Sequence, residues 1–263
     1  MKLSFAARVA CHRLRRHLDW RIHPKNWARN FASADDFPIA AAARTSPLKR
    51  SDDGPLAAHA EAKTKNLQIA SAKLNGLRIG PGEVFSFCRI IGKTTRRGGY
   101  LPAMEMHDRK LRAEVGGGLC QLANLLFLLA LDINAEILER HRHSFDLFPD
   151  VERTVPFGCG ATVIYNYVDF QFQNTLPFPV LLAARVEPPV LRAEIRSAQP
   201  LPFTTKIVET DHRFFRRDGQ IFRANRLWKE LHFPDSSPTQ RELLFVNECN
   251  VLYPAEHLVN ADE

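Results

Sequence analysis

The sequence predicts an α+β fold: a central buried helix headed by a cysteine, packed on an antiparallel sheet, with a β-rich C-terminal extension. Three observations lead there. Residues 122–131 are apolar on nearly every face, as in a helix that runs through a core. Gly116-Gly117-Gly118 stands directly before that run and delivers Cys120 to its first turn. Most of the chain beyond it consists of short β-type runs punctuated by Gly, Pro, Asn and Asp.

The elements follow in order. Residues 1–30 read as a basic helical segment, and residues 31–55, rich in Ala, Ser, Asp and Pro, as a linker. Together they form the first of three expected divisions, 1–55, followed by a core domain at 56–195 and the β-rich extension at 196–263. A helix is predicted over 56–74, because Leu67, Ala70 and Leu74 recur at helical spacing and Asn75-Gly76 supplies a stop. Pro81-Gly82 turns into a strand at 83–87. Gly98-Gly99 and the triple glycine bracket a hairpin centred on Asp108-Arg109. After the helix at 120–132 come strands at 135–138, 144–147, 161–167 and 170–172, then a proline-interrupted apolar strand over 176–191. Residues 212–223 read as a hairpin turning on Asp218-Gly219.

Composition narrows the function. A chain of 263 residues with 45% hydrophobic and 25% charged residues can bury a full core, as one large domain or a domain plus a lobe. Net charge of +7 favours anionic partners. The chain has no zinc-finger spacing, ribonucleoprotein signature or sustained basic helix, so nucleic acid is not the expected partner. Cys11, Cys88, Cys120, Cys159 and Cys249 are odd in number and scattered, which fits a reducing compartment. Charge interrupts the N-terminus too early for a signal-peptide core, and residues 122–131 are about half the ~20 needed to span a bilayer. A cytoplasmic protein is expected. Its basic N-terminal segment, with Trp20 and Trp27, is a candidate for peripheral contact with the inner membrane face.

Cys120 is the candidate nucleophile. Free backbone N–H groups and the positive end of a helix dipole stabilise a thiolate at a helix start. Such a cysteine needs a base and a group to orient that base. His141 and His143, which strand alternation puts on one face, are the candidate bases, and Asp169 is the candidate orienting carboxylate. Gly117, Gly118, Gln121, Asn124, Ser144 and Arg97 are the candidate substrate contacts, with the N–H groups of Cys120 and Gln121 placed to polarise a carbonyl. The order Cys, His, Asp, with the cysteine heading a central helix, is that of papain-like and transglutaminase-like thiol enzymes, and suggests such a core. Plainer alternatives stand beside each residue: an inert core cysteine, a simple tight turn, a locally capping Asp169. Cys120, His141, His143 and Cys159 are competent zinc ligands, but their spacing is not that of a structural zinc site, so neither metal nor other cofactor is expected.

Several motifs occur together and in order: Lys73-Leu74-Asn75-Gly76, Pro81-Gly82-Glu83-Val84-Phe85-Ser86-Phe87, Gly92-Lys93-Thr94, Gly98-Gly99-Tyr100, Gly116-Gly117-Gly118-Leu119-Cys120-Gln121, Glu139-Arg140-His141-Arg142-His143-Ser144-Phe145-Asp146, Phe148-Pro149-Asp150, Val155-Pro156-Phe157-Gly158, Gly160-Ala161-Thr162-Val163 and Tyr165-Asn166-Tyr167-Val168-Asp169. Over 73–169 the chain therefore resembles the VanW family, whose name comes from vancomycin-resistance clusters. Some larger, exported members resemble L,D-transpeptidases, which cross-link peptidoglycan through a cysteine acyl-enzyme. By that resemblance Cys120 matches the nucleophile, with His143 favoured as base and His141 kept in the site. The implied partner is a peptidoglycan peptide or an anionic cell-wall precursor, whose phosphates would meet Lys93, Arg96 and Arg97. The resemblance equally admits a non-catalytic accessory or binding protein for wall precursors, associated with glycopeptide resistance. No export signal is read in the N-terminal residues, so the chain is expected to differ from the exported members, and Cys159 stands where the family pattern asks for no cysteine.

Overall fold

The computed structural model describes residues 5–22, 24–49, 59–107, 110–142, 145–146, 155–235, 237–255 and 258. His143, Ser144 and the expected turn at Asp108-Arg109 lie outside them. In chain order the elements are α1 (Phe5–Ile22), β1 (Asn30–Phe31), β2 (Ile39–Pro47), α2 (Ala60–Leu74), β3 (Leu77–Ile79), β4 (Val84–Ser86), α3 (Phe87–Ile91), β5 (Pro102–His107), β6 (Lys110–Val115) and α4 (Cys120–Asp132). They continue with β7 (Glu136–Glu139), β8 (Phe145–Asp146), β9 (Gln171–Gln173), β10 (Val180–Glu187), β11 (Val190–Ser197), β12 (Thr204–Arg217), β13 (Gln220–His232) and β14 (Gln240–Val251). The fold is α+β, with antiparallel sheets and few helices. The chain groups into two compact units, Met1–His141 with Ala161–Pro200, and Arg142–Gly160 with Leu201–Glu263.

The first unit holds a five-stranded antiparallel sheet in the order β1-β3-β10-β11-β2, a three-stranded sheet β4-β9-β7 and the hairpin β5-β6. α2 packs against β10, and α4 against β2 and β11. Residues 180–184 of β10 are buried without alternation, which explains their continuous apolar reading. In α4, Leu122, Ala123 and all of residues 125–131 are buried, so a helix apolar all round ends up enclosed. Phe127 of α4 meets Phe170 edge-on, and Phe85, Phe170 and Phe172 cluster with it, with centroids 5.0–6.1 Å apart.

Two local expectations change. Residues 31–55 carry β2, which pairs along β11 from Pro47↔Val190 to Ile39↔Ser197. Four consecutive alanines, 40–43, conceal it, since small residues give neither alternation nor β-propensity. Residues 161–167 form no strand. Thr162 bridges to His141, and the chain turns at once through Asn166 (φ 52°) so that Ile164 faces Val168. Asn tolerates that left-handed conformation, and its backbone N–H is directed at the Cys88 sulfur, 3.3 Å away.

The second unit is a four-stranded sheet, β12-β13-β14-β8, antiparallel except for the β14–β8 pair. The β12–β13 hairpin turns on Asp218 (φ 51°) and Gly219 (φ 73°), the two positive φ angles that a tight I′ hairpin requires. Arg223 is 1% exposed, paired with Asp146 at 3.0 Å and stacked on Phe157 and Phe214.

Candidate functional site

The triple glycine is a packing necessity. A Cβ on Gly117 would lie 2.0 Å from the Ala103 carbonyl oxygen, so the turn passes against β5 with room for hydrogen only. Gly116 and Gly118 both take positive φ, 88° and 91°. From α2, the fully buried Asn66 clamps this turn. Its amide donates to the Leu101 and Gly117 carbonyls at 2.9 and 3.0 Å, and its oxygen accepts from the Leu101 N–H at 2.8 Å. The clamp fixes where α4 begins, and therefore where Cys120 sits.

Cys120 is half-buried and lines a cleft of about 250 Å³ with Arg13, Cys88, Glu105, Glu114 and Val163. Its sulfur faces the Val163 carbonyl oxygen at 4.0 Å. Burial, together with the nearby Glu105 carboxylate, pushes this thiol up to about 11. The helix start therefore does not by itself make a thiolate here. Glu105 is pushed up to about 7 by burial and by its strand neighbour Glu114. It thus changes charge near neutral pH, next to a thiol that does not. Cys88, deeper in the same cleft, is raised well above its ordinary value, by burial and then by Asp169.

Asp169 is fully buried, and its carboxylate is occupied. Oδ2 accepts from Ser86 Oγ at 2.6 Å and from Gln171 Nε2 at 2.9 Å, while Oδ1 accepts from the backbone N–H groups of Cys88 and Phe170, both at 2.8 Å. It holds the entry to α3. Among the described residues its partners include no histidine, and His143 lies outside them. His141 instead pairs with Glu139, Nε2 to Oε1 at 3.3 Å, and is half exposed at 48%. Glu139 is a hub that also takes Arg16, the Asp169 N–H and Gln171. Burial alone would raise Glu139, but the hydrogen bonds from His141 and Arg16 outweigh it and hold it at about 2.

The other expected contacts are dispersed. The Gln121 side chain donates to Ser46 Oγ and the Pro47 carbonyl, 2.8 and 2.7 Å away in β2, and its backbone N–H is already given to Gly118. Asn124 accepts from the Ala161 N–H at 2.7 Å, which ties α4 to the strand-less segment. Gly117 is buried and Gly118 half-buried at the turn. Lys93, Arg96 and Arg97 are exposed on a loop whose Gly92 and Thr94 line the cleft. No group of three or more His, Cys, Asp or Glu side chains that could hold a metal occurs among the described residues.

Glu105 and Glu139 are the site residues that sequence reasoning passed over. Glu105 lies two residues after Ala103 on β5, so alternation puts it on the face of a fully buried neighbour. Glu139 opens the Glu-Arg-His-Arg-His motif, where the histidines draw the attention.

The family model described as VanW like protein matches residues 62–196. The chain is 26% identical over 204 residues to the "Vancomycin B-type resistance protein VanW" of Enterococcus faecalis, an alignment covering 77% of this chain and 74% of that one. It is 30% identical over 128 residues to YoaR of Bacillus subtilis, described as uncharacterized, covering 48% of this chain and 40% of the relative. No solved structure gives a significant match.

Proposed function

The chain belongs to the VanW family, and on that premise we propose that it is a cysteine-dependent acyl transferase or amidase acting on peptidoglycan peptides or their precursors. The observation that carries the reading is the cleft that Cys120 and Glu105 both line. The name of the Enterococcus relative, a vancomycin-resistance protein, suits a wall substrate.

In this reading the Cys120 sulfur attacks a peptide carbonyl carbon as Glu105 takes the thiol proton. The C–N bond then breaks, the proton passes to the leaving amine, and an acyl-cysteine remains for a second amine or for water. A base that titrates near 7 is matched to neutral pH, and it compensates for a thiol too basic to ionise alone. Asp169 keeps the α3 entry in place. His143, with His141 beside it in sequence, is the rival base. The likeness to papain and transglutaminase is one of residue order.

The test is turnover of a disaccharide-tetrapeptide with an amine acceptor, followed by mass spectrometry. Cys120→Ala should abolish product while leaving the circular dichroism unchanged. Activity should rise with pH through about 7 as Glu105 ionises, and Glu105→Gln should remove that limb. A limb that survives in Glu105→Gln and disappears in His143→Ala would give the proton to the histidine instead.

The raised Cys120 thiol favours a second reading, a non-catalytic module that binds wall precursors. It predicts that Cys120→Ser leaves affinity for a fluorescent lipid-linked precursor unchanged and that no acyl-cysteine ever accumulates.

A further inference from the structure

We propose that the outer face of α1 is a docking surface for an anionic lipid bilayer. α1 has two faces with different fates. The inner one is seated on the first unit: Arg13 donates to the Tyr165 carbonyl at 3.2 Å, Arg16 pairs with Glu139, and His17 Nε2 lies 2.9 Å from Asn166 Nδ2. Trp20 and Trp27, at the start expected to face a membrane, are also part of that seat. They enclose the Arg89 guanidinium, which lies 4.8 and 4.7 Å from their ring centroids, and both indole nitrogens are buried.

The outer face exposes Leu14, Leu18 and Ile22, at 62%, 46% and 67%. Their spacing of four residues puts all three on one stripe. Most of the other large exposed apolar side chains, such as Phe31 and Leu101, are separated along the chain. Arg15 and Arg21, both exposed, flank the stripe on its two sides. Within α1 the charged residues are Arg8, Arg13, Arg15, Arg16 and Arg21 against Asp19 alone. An apolar stripe edged with arginine on a helix of basic balance matches a leaflet whose headgroups are negative and whose interior accepts leucine. A helix of 18 residues with this charge cannot cross the bilayer, and no described helix is long and apolar enough to do so. Docking therefore lays α1 along the surface. Because Val9 and Arg13 line the cleft from the inner face, the cleft then lies about one helix diameter, ~10 Å, from the headgroups.

The full chain is sedimented with vesicles of phosphatidylglycerol and phosphatidylcholine (1:1) and with phosphatidylcholine alone. Wild type should pellet with the anionic vesicles, at least tenfold more weakly at 0.5 M salt, and at least tenfold more weakly with phosphatidylcholine alone. The Leu14→Ser/Leu18→Ser/Ile22→Ser variant should lose that binding. So should Arg15→Glu/Arg21→Glu, which removes no packing and serves alone if the triple variant loses helix by circular dichroism. Failure of wild type to pellet, or binding unchanged in these variants, overturns the proposal. A doubled mass in light scattering that the triple variant abolishes, without vesicle binding, would assign the face to a second copy of the chain. None of these readouts depends on Cys120 or on catalysis.

Discussion

Glu105 and Glu139 are two carboxylates of the same unit with opposite electrostatics. Glu139 is held at about 2 in the folded chain against 4.5 in its absence. Its contribution is fully present above about pH 4.5 and is lost as pH falls toward 2. Glu139→Gln should therefore cost on the order of 1–3 kcal/mol at pH 7, with the difference shrinking in acid. Glu105 is raised to about 7, so the folded state binds its proton more tightly than the unfolded one. Stability is fully present below about 4.5 and falls as pH rises to about 7. Glu105→Gln should be neutral at pH 4 and stabilising by about 1–2 kcal/mol at pH 8, allowing for its partial solvent screening. Urea denaturation at both pH values checks the pair. A substitution at Glu105 that raises stability while removing turnover is the expected mark of a residue kept for chemistry. Neither carboxylate is conspicuous in the sequence. A lone glutamate on a strand ordinarily reads as solvated; Glu139 depends on Arg16 and Asp169, far along the chain, and Glu105 on burial and on Glu114 across the hairpin.

At the scale of elements, the glycine turn and the helix it launches decide the site. Gly117→Ala would drive a methyl group into the Ala103 carbonyl, which is backbone and cannot step aside, so a loss above about 3 kcal/mol or a failure to fold is expected. Gly219→Ala, with nothing within 4 Å and only its φ of 73° to strain it, should cost about 1 kcal/mol. Comparing the two by chemical denaturation separates crowding from backbone conformation. Asn66→Ala leaves the Leu101 N–H and two carbonyls without their buried partner, and about 2–4 kcal/mol should be lost. Local chemistry made these elements legible: the greasy run of α4, the 67-70-74 spacing of α2, the Asp218-Gly219 turn. β2 was hidden because its alanines carry no pattern, and its partner strand β11 lies some 150 residues on. Of the residues that line the cleft, Cys120 alone was among the candidates named from the sequence. Asp169 could be picked out as buried-strand chemistry, but its four hydrogen-bond donors are contributed by Ser86, Cys88, Phe170 and Gln171, and that assembly is tertiary.

Across the whole molecule, each unit has its own buried ionic or polar knot. In the second it is Arg223, with Asp146, His212 and the Tyr253 hydroxyl around it at 2.9–3.0 Å from their partners. Removing one member of a buried pair strands the other, which typically costs 3–5 kcal/mol. Arg223→Ala should therefore open the second unit first. Hydrogen exchange read by peptide should show protection lost across β12–β14 while α4 keeps its own. Loss of protection in α4 at the same denaturant would instead mean that the two units unfold as one. The two-unit division was not visible in composition, because the second unit borrows 142–160 from the middle of the chain and the rest from its end.

The seat of α1 also has an optical consequence. The chain contains three tryptophans, and two of them, Trp20 and Trp27, flank Arg89 beneath that helix with ring centroids 6.2 Å apart. The third, Trp228, belongs to the other unit, under Arg241. A Trp228→Phe protein would therefore emit from the α1 seat alone. Its spectrum would stay unchanged if α1 remains in place, and shift to the red if the helix peels away and its indoles meet water, so the molecule reports by its own colour whether α1 is seated.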